Sequence, residues 1–374
     1  MDRTASGRRR RGGRPTSAAH RLKPGHAHPA TTRPMPIEAP QVKAAAIRAG
    51  FSKCGIARAE PLDPRPLDRM LALGAEADMA WLRTKRAERL DPSRVLPGAR
   101  SVVALALSYH SGEGAPPREN EGEVARYARG RDYHSAVKKK LRALVAELAE
   151  RDPEARFFAG CDVGPVMEKA WAERAGLGWV GKNGCLITPE HGSWVVLAAL
   201  LTDRVLAPDS PHPERCGSCT ACLGACPTGA IPRPGLVDAR LCISFWTIER
   251  RGEVPAEIAR RLGNWAFGCD DCQTVCPWNR GLEPSADPAL VPLPGQSGLD
   301  LLPLIAMSEE EYRHRYHGTA LARARHDGLV RNGILLAGLR KEQRYRDAVR
   351  AHLGSFYPGV RAAARWALTQ LDSE

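Results

Sequence analysis

Long apolar runs are missing from this chain of 374 residues. The longest uninterrupted one, Trp194–Leu201, is eight residues long, whereas a membrane-spanning helix needs about 20. The arginine-rich N-terminus is not followed by the roughly 7–15 apolar residues of a secretory signal peptide. The sequence therefore excludes a membrane-embedded protein, and we expect a cytoplasmic location with no membrane partner.

Cysteine is also scarce. The chain has 11 cysteines, about 3% of its residues and far below the share found in small disulfide-stabilised proteins. Eight of the 11 nevertheless fall within residues 216–276. In a reducing compartment, such clustering indicates metal ligands rather than disulfides.

Positive charge is concentrated at the N-terminus. The net charge is +13, of which residues 1–34 contribute +8. Residues 1–35 are too polar to bury anything and are predicted to form a disordered basic tail. Two interpretations stay open: an electrostatic arm for nucleic acid, or a dispensable extension ahead of a true start at Met35.

The remainder has the composition of a folded protein, with 43% hydrophobic and 26% charged residues. Its length allows two or three domains. Hydrophobic periodicity predicts helices at Gln41–Ala49, Arg131–Arg151 and Pro165–Arg174, and buried strands at Ser101–Ser108 and Ser193–Thr202. Strands alternating with helices predict an α/β domain over residues 36–207.

Proline marks the predicted boundaries. Pro208, Pro211 and Pro213 lead into a cysteine-rich domain at 208–285, and Pro284–Pro303 is predicted to be a second linker. Residues 286–374 are this linker followed by a helical domain. Within it, Val330-Arg331 and Ala337 recur thirty residues later as Val360-Arg361 and Ala367, which indicates a helix-pair repeat. Chance similarity of the two copies stays an open alternative.

The cysteine spacing is the strongest chemical signal. The pattern C-x2-C-x2-C-x3-C-P is formed by Cys216, Cys219, Cys222, Cys226 and Pro227. Bacterial ferredoxins hold cubane iron–sulfur clusters with this spacing, and the fourth cysteine binds the other cluster. A second run, C-x2-C-x3-C-P, is formed by Cys269, Cys272, Cys276 and Pro277. It lacks one cysteine, which Cys242 can supply.

Eight thiolates make two complete four-cysteine sites. The predicted ligand sets are Cys216, Cys219, Cys222 with Cys276, and Cys226, Cys242 with Cys269, Cys272. Structural zinc is the alternative, but a zinc site needs neither the third closely spaced cysteine nor the proline. Two [4Fe–4S] clusters, and hence electron transfer, are therefore predicted. Cys54, Cys161 and Cys185 match no ligand spacing and are interpreted as small buried residues.

Two other segments nearly match known motifs. Gly176-x4-Gly181-Lys182-Asn183 approaches the phosphate-binding loop, but Asn183 lacks the hydroxyl that would hold magnesium. Asp132-Tyr133-His134 begins like the D-x-H-x-x-G motif of some cobalamin enzymes, but Val137 replaces its glycine. Neither a nucleotide site nor a cobalt-ligating His134 is predicted.

Several longer motifs resemble those of the epoxyqueuosine reductase family. They are Arg89–Ser101, Ala125–His134, Asp162–Lys169, Ala172–Asn183 and Gly268–Asn279. The resemblance covers residues 40–371. It implies a cobalamin-binding α/β domain, a two-cluster ferredoxin-like domain and a C-terminal all-α HEAT-like repeat. The implied reaction is the final step of queuosine biosynthesis, in which epoxyqueuosine at the wobble position of tRNAs for Asp, Asn, His and Tyr is reduced to queuosine.

That chemistry needs two electrons and two protons. The resemblance implies that cob(I)alamin, fed by the two clusters, gathers the electrons near the carbon, and that Asp162 is the general acid. The alternative role for Asp162 is to cap the helix predicted near Pro165. Asp132 is the reserve candidate for the acid, although a turn or capping role fits it better.

The resemblance also implies cofactor and substrate contacts. Cobalamin contacts are expected at Arg89, Leu186, Leu197, Ser244, Asp270 and Asp271, with core packing as the alternative for the two leucines and a solvated place in the cluster loop for the two aspartates. Basic runs that could bind tRNA phosphates are Lys138–Lys140 with Arg142, and Arg250-Arg251. We expect a monomer that takes electrons from a low-potential donor such as flavodoxin or ferredoxin, and a wobble base turned out of its stack.

Three other functions compete with this interpretation. A reductive dehalogenase also pairs cobalamin with two clusters but acts on a small electrophile. A non-enzymatic electron carrier would leave the α/β domain without a purpose. A tRNA-binding module with structural clusters would need no cobalt.

Overall fold

The computed structural model describes residues 36–112, 116–162, 164–285 and 287–373. The predicted basic tail lies outside these ranges. Their strands are β1 (Lys53–Arg58), β2 (Ser101–Ser108), β3 (Glu121–Val124), β4 (Phe157–Gly160), β5 (Trp179–Val180), β6 (Leu186–Ile187), β7 (Val195–Thr202), β8 (Trp265–Phe267) and β9 (Gly298–Asp300).

The helices fall into three groups along the chain. Those in the first half are α1 (Ala39–Arg48), α2 (Arg65–Ala72), α3 (Trp81–Thr84), α4 (Arg86–Leu90), α5 (Tyr133–Arg151) and α6 (Glu168–Arg174). Short helices in the cysteine-rich region are α7 (Ala221–Ala225), α8 (Ile243–Ile248), α9 (Ala256–Ala259) and α10 (Asp271–Thr274). The C-terminal helices are α11 (Leu301–Ala306), α12 (Glu309–Tyr316), α13 (Arg325–Arg340), α14 (Arg346–Arg350) and α15 (Pro358–Leu371).

The main sheet has the strand order β1-β2-β7-β4, with antiparallel neighbours throughout. Strand β2 is buried along its whole length. Its alternate residues enter two different cores. Those facing α1 and α5 are Val103, Leu105 and Leu107. Those facing α2 and α6 are Val102, Ala104 and Ala106. Burial on both faces explains why β2 and β7 read as continuous apolar runs, as predicted.

A second sheet joins distant parts of the chain. Strand β3 pairs in parallel with β8 and antiparallel with β9. The sheet thus takes one strand from each of the three predicted folded segments and packs on the core of the C-terminal helices. The domain boundaries at 207/208 and 285/286 stay predictions.

The C-terminal region is helical, as predicted. Val330 and Ala337 of α13 and Val360 and Ala367 of α15 are all buried in one core. The helices approach closely at Gly338, where an added Cβ would lie 2.8 Å from the Cα of Ala367. The repeated residues therefore pack the two helices together. A HEAT-like assignment stays a prediction.

Two predicted boundaries were wrong. The helix expected from Pro165 begins only at Glu168, because Gly164 and Pro165 form a bend and Val166 and Met167 have no regular structure. The linker expected to reach Pro303 ends earlier, since β9 and α11 begin within it. Leu299 and Leu301 are buried in the C-terminal core, and this burial outweighs the local proline and glycine content.

Candidate active site

The cysteines of the first predicted set lie close to one another. Burial raises the pKa of the Cys276 thiol, and the charges of Cys216, Cys222 and Cys219 raise it further. Cys276 is 50 residues beyond Cys226 in the sequence, so the fold brings this distant cysteine to the first run. The arrangement fits one four-thiolate site.

The second predicted set is grouped in the same way. Burial raises the pKa of Cys272, with further contributions from Cys185, Cys269 and Cys242. Burial also raises the pKa of Cys242, to which the charge of Cys226 adds. The isolated Cys242 therefore lies with both runs. Among the described residues, no three His, Cys, Asp or Glu side chains converge closely enough to hold a single metal ion.

Polar hydrogens point at these sulfurs. The indole N–H of Trp179 donates to Cys216 Sγ at 3.4 Å, and the backbone N–H of Ala230 donates to Cys226 Sγ at 3.2 Å. Hydrogen bonds to cluster sulfurs tune the reduction potential. Lys182, from the near-match to a phosphate loop, donates to the carbonyls of Gly217 and Cys219. It thus supports the first cysteine run.

Asp162 is held at its backbone and at its side chain. It follows β4 in a left-handed conformation, with φ 54°, and its side chain is exposed. The phenol O–H of Tyr133 donates to Asp162 Oδ2. The Asp162 backbone N–H donates to Glu168 Oε1 at 3.1 Å. Because α6 begins only at Glu168, with Met167 at its N-cap, the capping role considered for Asp162 is wrong.

Asp132 and His134 serve local structure. Asp132 caps α5 by accepting the His134 backbone N–H at 3.0 Å, and it also contacts His134 Nδ1 at 2.8 Å. The His134 ring stacks on Tyr133, with ring centroids 4.1 Å apart. The expected capping role of Asp132 is therefore confirmed, and it helps to fix the tyrosine that meets Asp162.

A row of aromatic rings leads from Asp162 toward the cysteines. Tyr133 contacts Tyr127 edge-on at 5.8 Å, and Tyr127 lies 6.3 Å from Phe267, which is two residues before Cys269. Burial raises the pKa of Tyr127, and the charges of Asp270, Glu249 and Asp162 add to this effect. Tyr127 therefore keeps its proton and lies between Tyr133, the partner of Asp162, and the segment that leads to Cys269.

Arg323, from the C-terminal half, lies near enough to Tyr127 and Tyr133 to interact with them electrostatically. Arg323 forms a two-bond ion pair with Glu249, both N–O distances being 2.9 Å. Its guanidinium also lies 5.9 Å from the ring of Trp81. Of the eight tryptophans, all within the described ranges, only Trp81 is exposed.

The residues expected to contact cobalamin divide into two groups. Asp270 and Asp271 line a cavity of about 360 Å³ together with Arg126, Arg129 and Trp265, among others. Arg89, Leu186, Leu197 and Ser244 do not line it. Leu186 is buried in the core beside the main sheet, and Leu197 packs against the same core from a half-buried position.

Two of these groups have informative surroundings. Arg89 is half-buried, and its Nε has no hydrogen-bond partner among the described residues. Burial lowers the pKa of this guanidinium. Asp270 is 2% exposed and accepts the backbone N–H of Arg126 at 2.7 Å and the side-chain amide of Gln273 at 3.0 Å. Burial raises the pKa of Asp270 to about 6.

Known proteins are similar in sequence to this chain over most of its length. The epoxyqueuosine reductase of Gloeobacter violaceus is 44% identical over 306 residues, which cover 80% of this chain and 95% of that protein. That of Vibrio cholerae is 35% identical over 325 residues, covering 84% and 87%. This chain belongs to the epoxyqueuosine reductase family.

Family models and solved structures agree with this assignment. The model described as "Epoxyqueuosine reductase QueG, DUF1730" matches residues 89–162, and that of a 4Fe-4S double cluster binding domain matches residues 215–279. A crystal structure of epoxyqueuosine reductase with an epoxyqueuosine-modified tRNA-Tyr stem loop has TM-score 0.83 and 34% identity, and covers 89% of each chain. The Bacillus subtilis enzyme, solved with its catalytic aspartate loop swung out of the active site, has TM-score 0.83 and 33% identity, covering 89% and 90%. This epoxyqueuosine reductase family member therefore binds two [4Fe–4S] clusters.

Sequence reasoning missed the residues that surround Asp162. Tyr133 and Glu168 lie inside motifs that resemble those of the family, but their spacing does not indicate a contact with Asp162. Glu249 and Arg323 are 74 residues apart and gave no signal. Of the three unassigned cysteines, Cys161 is buried as expected, whereas Cys54 and Cys185 are half-buried.

The two predicted basic surfaces of this family member differ. Lys138, Lys139 and Arg142 are exposed on α5, whereas Lys140 pairs with an aspartate. Arg251 donates to the carbonyls of Ile248, Ala324 and Arg323, the last at 2.7 Å. Its guanidinium therefore ties α8 to the C-terminal half. In the part of the chain that the structure describes, no helix is both long and apolar enough to cross a membrane.

Proposed function

We propose that this chain reduces epoxyqueuosine in tRNA to queuosine, using two [4Fe–4S] clusters and cobalamin. The observation that carries the proposal is the position of Asp162. Its hydrogen-bond partner Tyr133 begins a row of rings that ends at Phe267, beside the ligands of the second cluster. An acid and an electron-transfer centre are thus neighbours, which reductive removal of an oxygen atom requires.

The ligand sets support two complete clusters. We propose that Cys216, Cys219, Cys222 and Cys276 hold the first and that Cys226, Cys242, Cys269 and Cys272 hold the second. The close approach of Cys276 to the first run and of Cys242 to the second supports this division. Single electrons would enter here from an external low-potential donor such as flavodoxin or ferredoxin.

The residues present fit cobalamin at one point in particular. The buried Arg89 Nε, which has no hydrogen-bond partner in the described part of the chain, suits an amide oxygen or phosphate, both of which cobalamin carries. We propose contacts from Arg89, Ser244, Leu186, Leu197, Asp270 and Asp271. Because both side-chain oxygens of Asp270 already accept hydrogen bonds, its contact would use the backbone. Bound cobalamin would supply the two electrons together, as a strong reductant at the epoxide carbon.

The protein's own contribution is proton transfer. Conversion of the epoxide to an alkene and water consumes two electrons and two protons. Asp162 is exposed, so that substrate can reach it, and we assign it as the acid that protonates the leaving oxygen. Tyr133 donates to Asp162 Oδ2, which leaves Oδ1 to carry the proton toward substrate.

The tRNA would lie over the rim of this site. The relative solved with a tRNA-Tyr stem loop supports an anticodon-loop substrate. Exposed Lys138, Lys139 and Arg142 would contact phosphates. Trp81, with Arg323 beside it, offers a ring on which an unstacked base can lie. A monomer in the cytoplasm stays a prediction.

The test is an anaerobic assay on epoxyqueuosine-containing tRNA with a low-potential reductant, with and without cobalamin. Digested nucleosides are identified by mass. Cobalamin-dependent formation of queuosine is expected, and Asp162→Asn should keep the clusters and cobalamin but lose most turnover. Absence of queuosine with both clusters and cobalt bound would refute the substrate, and a fully active Asp162→Asn would remove Asp162 from the mechanism. The same relatives argue against a small organohalide substrate.

A further inference from the structure

The backbone at Asp162 is in an uncommon conformation. Its φ of 54° is in the left-handed region, which side chains other than glycine occupy rarely and which persists where neighbouring groups hold it. A return from this φ to the common region at about −50° or below is a rotation of about 100° or more, which would swing the carboxyl group away. The groups that bind this residue therefore decide where the acid points.

Two groups hold Asp162, one at each end. Tyr133 donates to the side chain at Oδ2. Glu168 reaches back from the first residue of α6 and accepts the backbone N–H at Oε1, 3.1 Å away. The Tyr133 bond orients the carboxyl group once it is in place. The Glu168 bond acts on the backbone, and so on whether the carboxyl group is in place at all.

Glu168 is itself firmly placed. Its helix is anchored in the core beside the main sheet by Trp171 and Ala172, each 1% exposed. The residue is half-buried, and the Arg89 guanidinium is near enough to interact with its charge. A side chain on a fixed helix can hold the Asp162 backbone in one conformation.

We propose that Glu168 is a positioning residue for the acid: by accepting the Asp162 backbone N–H, it keeps the Asp162 backbone in the conformation that presents the carboxyl group to substrate. The inference rests on the proposed function, in which Asp162 protonates the leaving oxygen. Glu168 need not touch substrate for this role. Its oxygen matters through the hydrogen bond to the backbone, and its charge does not.

Three substitutions separate these properties. Glu168→Gln keeps an acceptor oxygen at the same reach without the charge, whereas Glu168→Asp keeps the charge on a shorter arm. Glu168→Ala removes both. Glu173→Ala is the matched control, because Glu173 is on the same helix and accepts the backbone N–H of Val180 at 2.8 Å, away from Asp162.

The holoenzyme is assayed for queuosine formation on epoxyqueuosine-containing tRNA. We expect Glu168→Ala and Glu168→Asp to lower kcat about 10- to 100-fold, the size of loss that misplacing a reactive group causes. The KM for tRNA should change little, since the backbone bond does not bind tRNA. Glu168→Gln should retain kcat within about fivefold because its amide oxygen still accepts the N–H. Glu173→Ala should retain wild-type kcat.

A double variant distinguishes positioning from general damage. If Glu168 acts only through Asp162, adding Glu168→Ala to Asp162→Asn should cause no further loss in single-turnover rate, whereas independent effects would multiply. An unaffected Glu168→Ala, an active Glu168→Asp with an inactive Glu168→Gln, or multiplied losses would each overturn the inference. A wild-type enzyme that forms no queuosine would instead overturn the proposed function.

Discussion

Replacing Arg331 with methionine should loosen the C-terminal end of α8, which Glu249 follows directly. Arg331 belongs to α13 and is 2% exposed. Its guanidinium donates to the carbonyls of Trp246 at 2.6 Å, Arg250 at 3.0 Å and Gly252 at 2.9 Å. Trp246 is in the last turn of α8, whose carbonyls the helix itself leaves without partners, and Arg250 and Gly252 are in the segment that follows. One buried cation therefore closes the helix and shapes the turn after it.

The size of the effect follows from these bonds. Burial lowers the pKa of Arg331 to about 10, so the group remains charged at neutral pH. Each buried carbonyl left without a donor costs about 1–3 kcal/mol. Methionine recovers part of this, because it removes the cost of burying a guanidinium and keeps most of the apolar volume. We expect a net loss of about 3–5 kcal/mol, as for other buried charged groups whose partners are left behind.

Hydrogen exchange in the native holoprotein, measured anaerobically by mass spectrometry, localises this loss. Exchange in residues 243–252 should accelerate by about 10²- to 10³-fold, since each 1.4 kcal/mol is a factor of ten. Queuosine formation should fall as well, because the Glu249–Arg323 pair depends on this segment. Arg331→Lys should rescue little, since a single ammonium cannot span three carbonyls.

Arg340→Met is the matched control on the same helix. Arg340 donates to the Glu121 carbonyl at 2.6 Å and to Asn264 Oδ1 at 2.7 Å, so its loss should affect β3 and spare residues 243–252. If Arg331→Met left exchange at 243–252 unchanged, or accelerated it equally across the whole protein, the reasoning about the closed helix end would be refuted.

Two further predictions concern acid strength and cluster assembly. Burial and the charge of Asp162 raise the pKa of Glu168 from 4.5 to about 7, so the folded state holds a proton that the unfolded chain releases. Wild type should therefore lose stability relative to Glu168→Gln as the pH rises from 4.5 to 7, by at most about 3 kcal/mol. A difference between their unfolding midpoints that is constant over this window would contradict the assignment. Cys242→Ser should lose the second cluster and about half of the iron while keeping the first. Loss of the first cluster alone, by iron analysis and electron paramagnetic resonance, would contradict the division of ligands.

Local features of this protein were predictable because short-range spacing determines them. The three closely spaced cysteines in 216–222 can only serve one site, and Asp132 caps α5 through the residue two positions on. The buried strands β2 and β7 could be recognised because both of their faces are covered, which leaves no polar alternation. Family resemblance added the reaction and the proposed role of Asp162, which spacing could not supply.

The surroundings of Asp162 depended on packing between segments that are distant in the sequence. Tyr133 precedes Asp162 by 29 residues and meets it because α5 packs against the sheet that contains β4. Arg331 closes a helix 85 residues earlier, although nothing in its own sequence neighbourhood indicates a buried role. The linker predicted to reach Pro303 failed for the same reason, since burial of Leu299 and Leu301 outweighed local composition.

The sequence by itself thus determined the metal chemistry and the family of this protein, because ligand spacing and long motifs are properties of continuous segments. Only the tertiary structure decided which groups bind Asp162, which of its oxygens accepts the Tyr133 hydrogen bond, and which arginines donate to backbone carbonyls. Such contacts form between groups far apart in the chain, and their geometry exists only once the sheets and helices have packed.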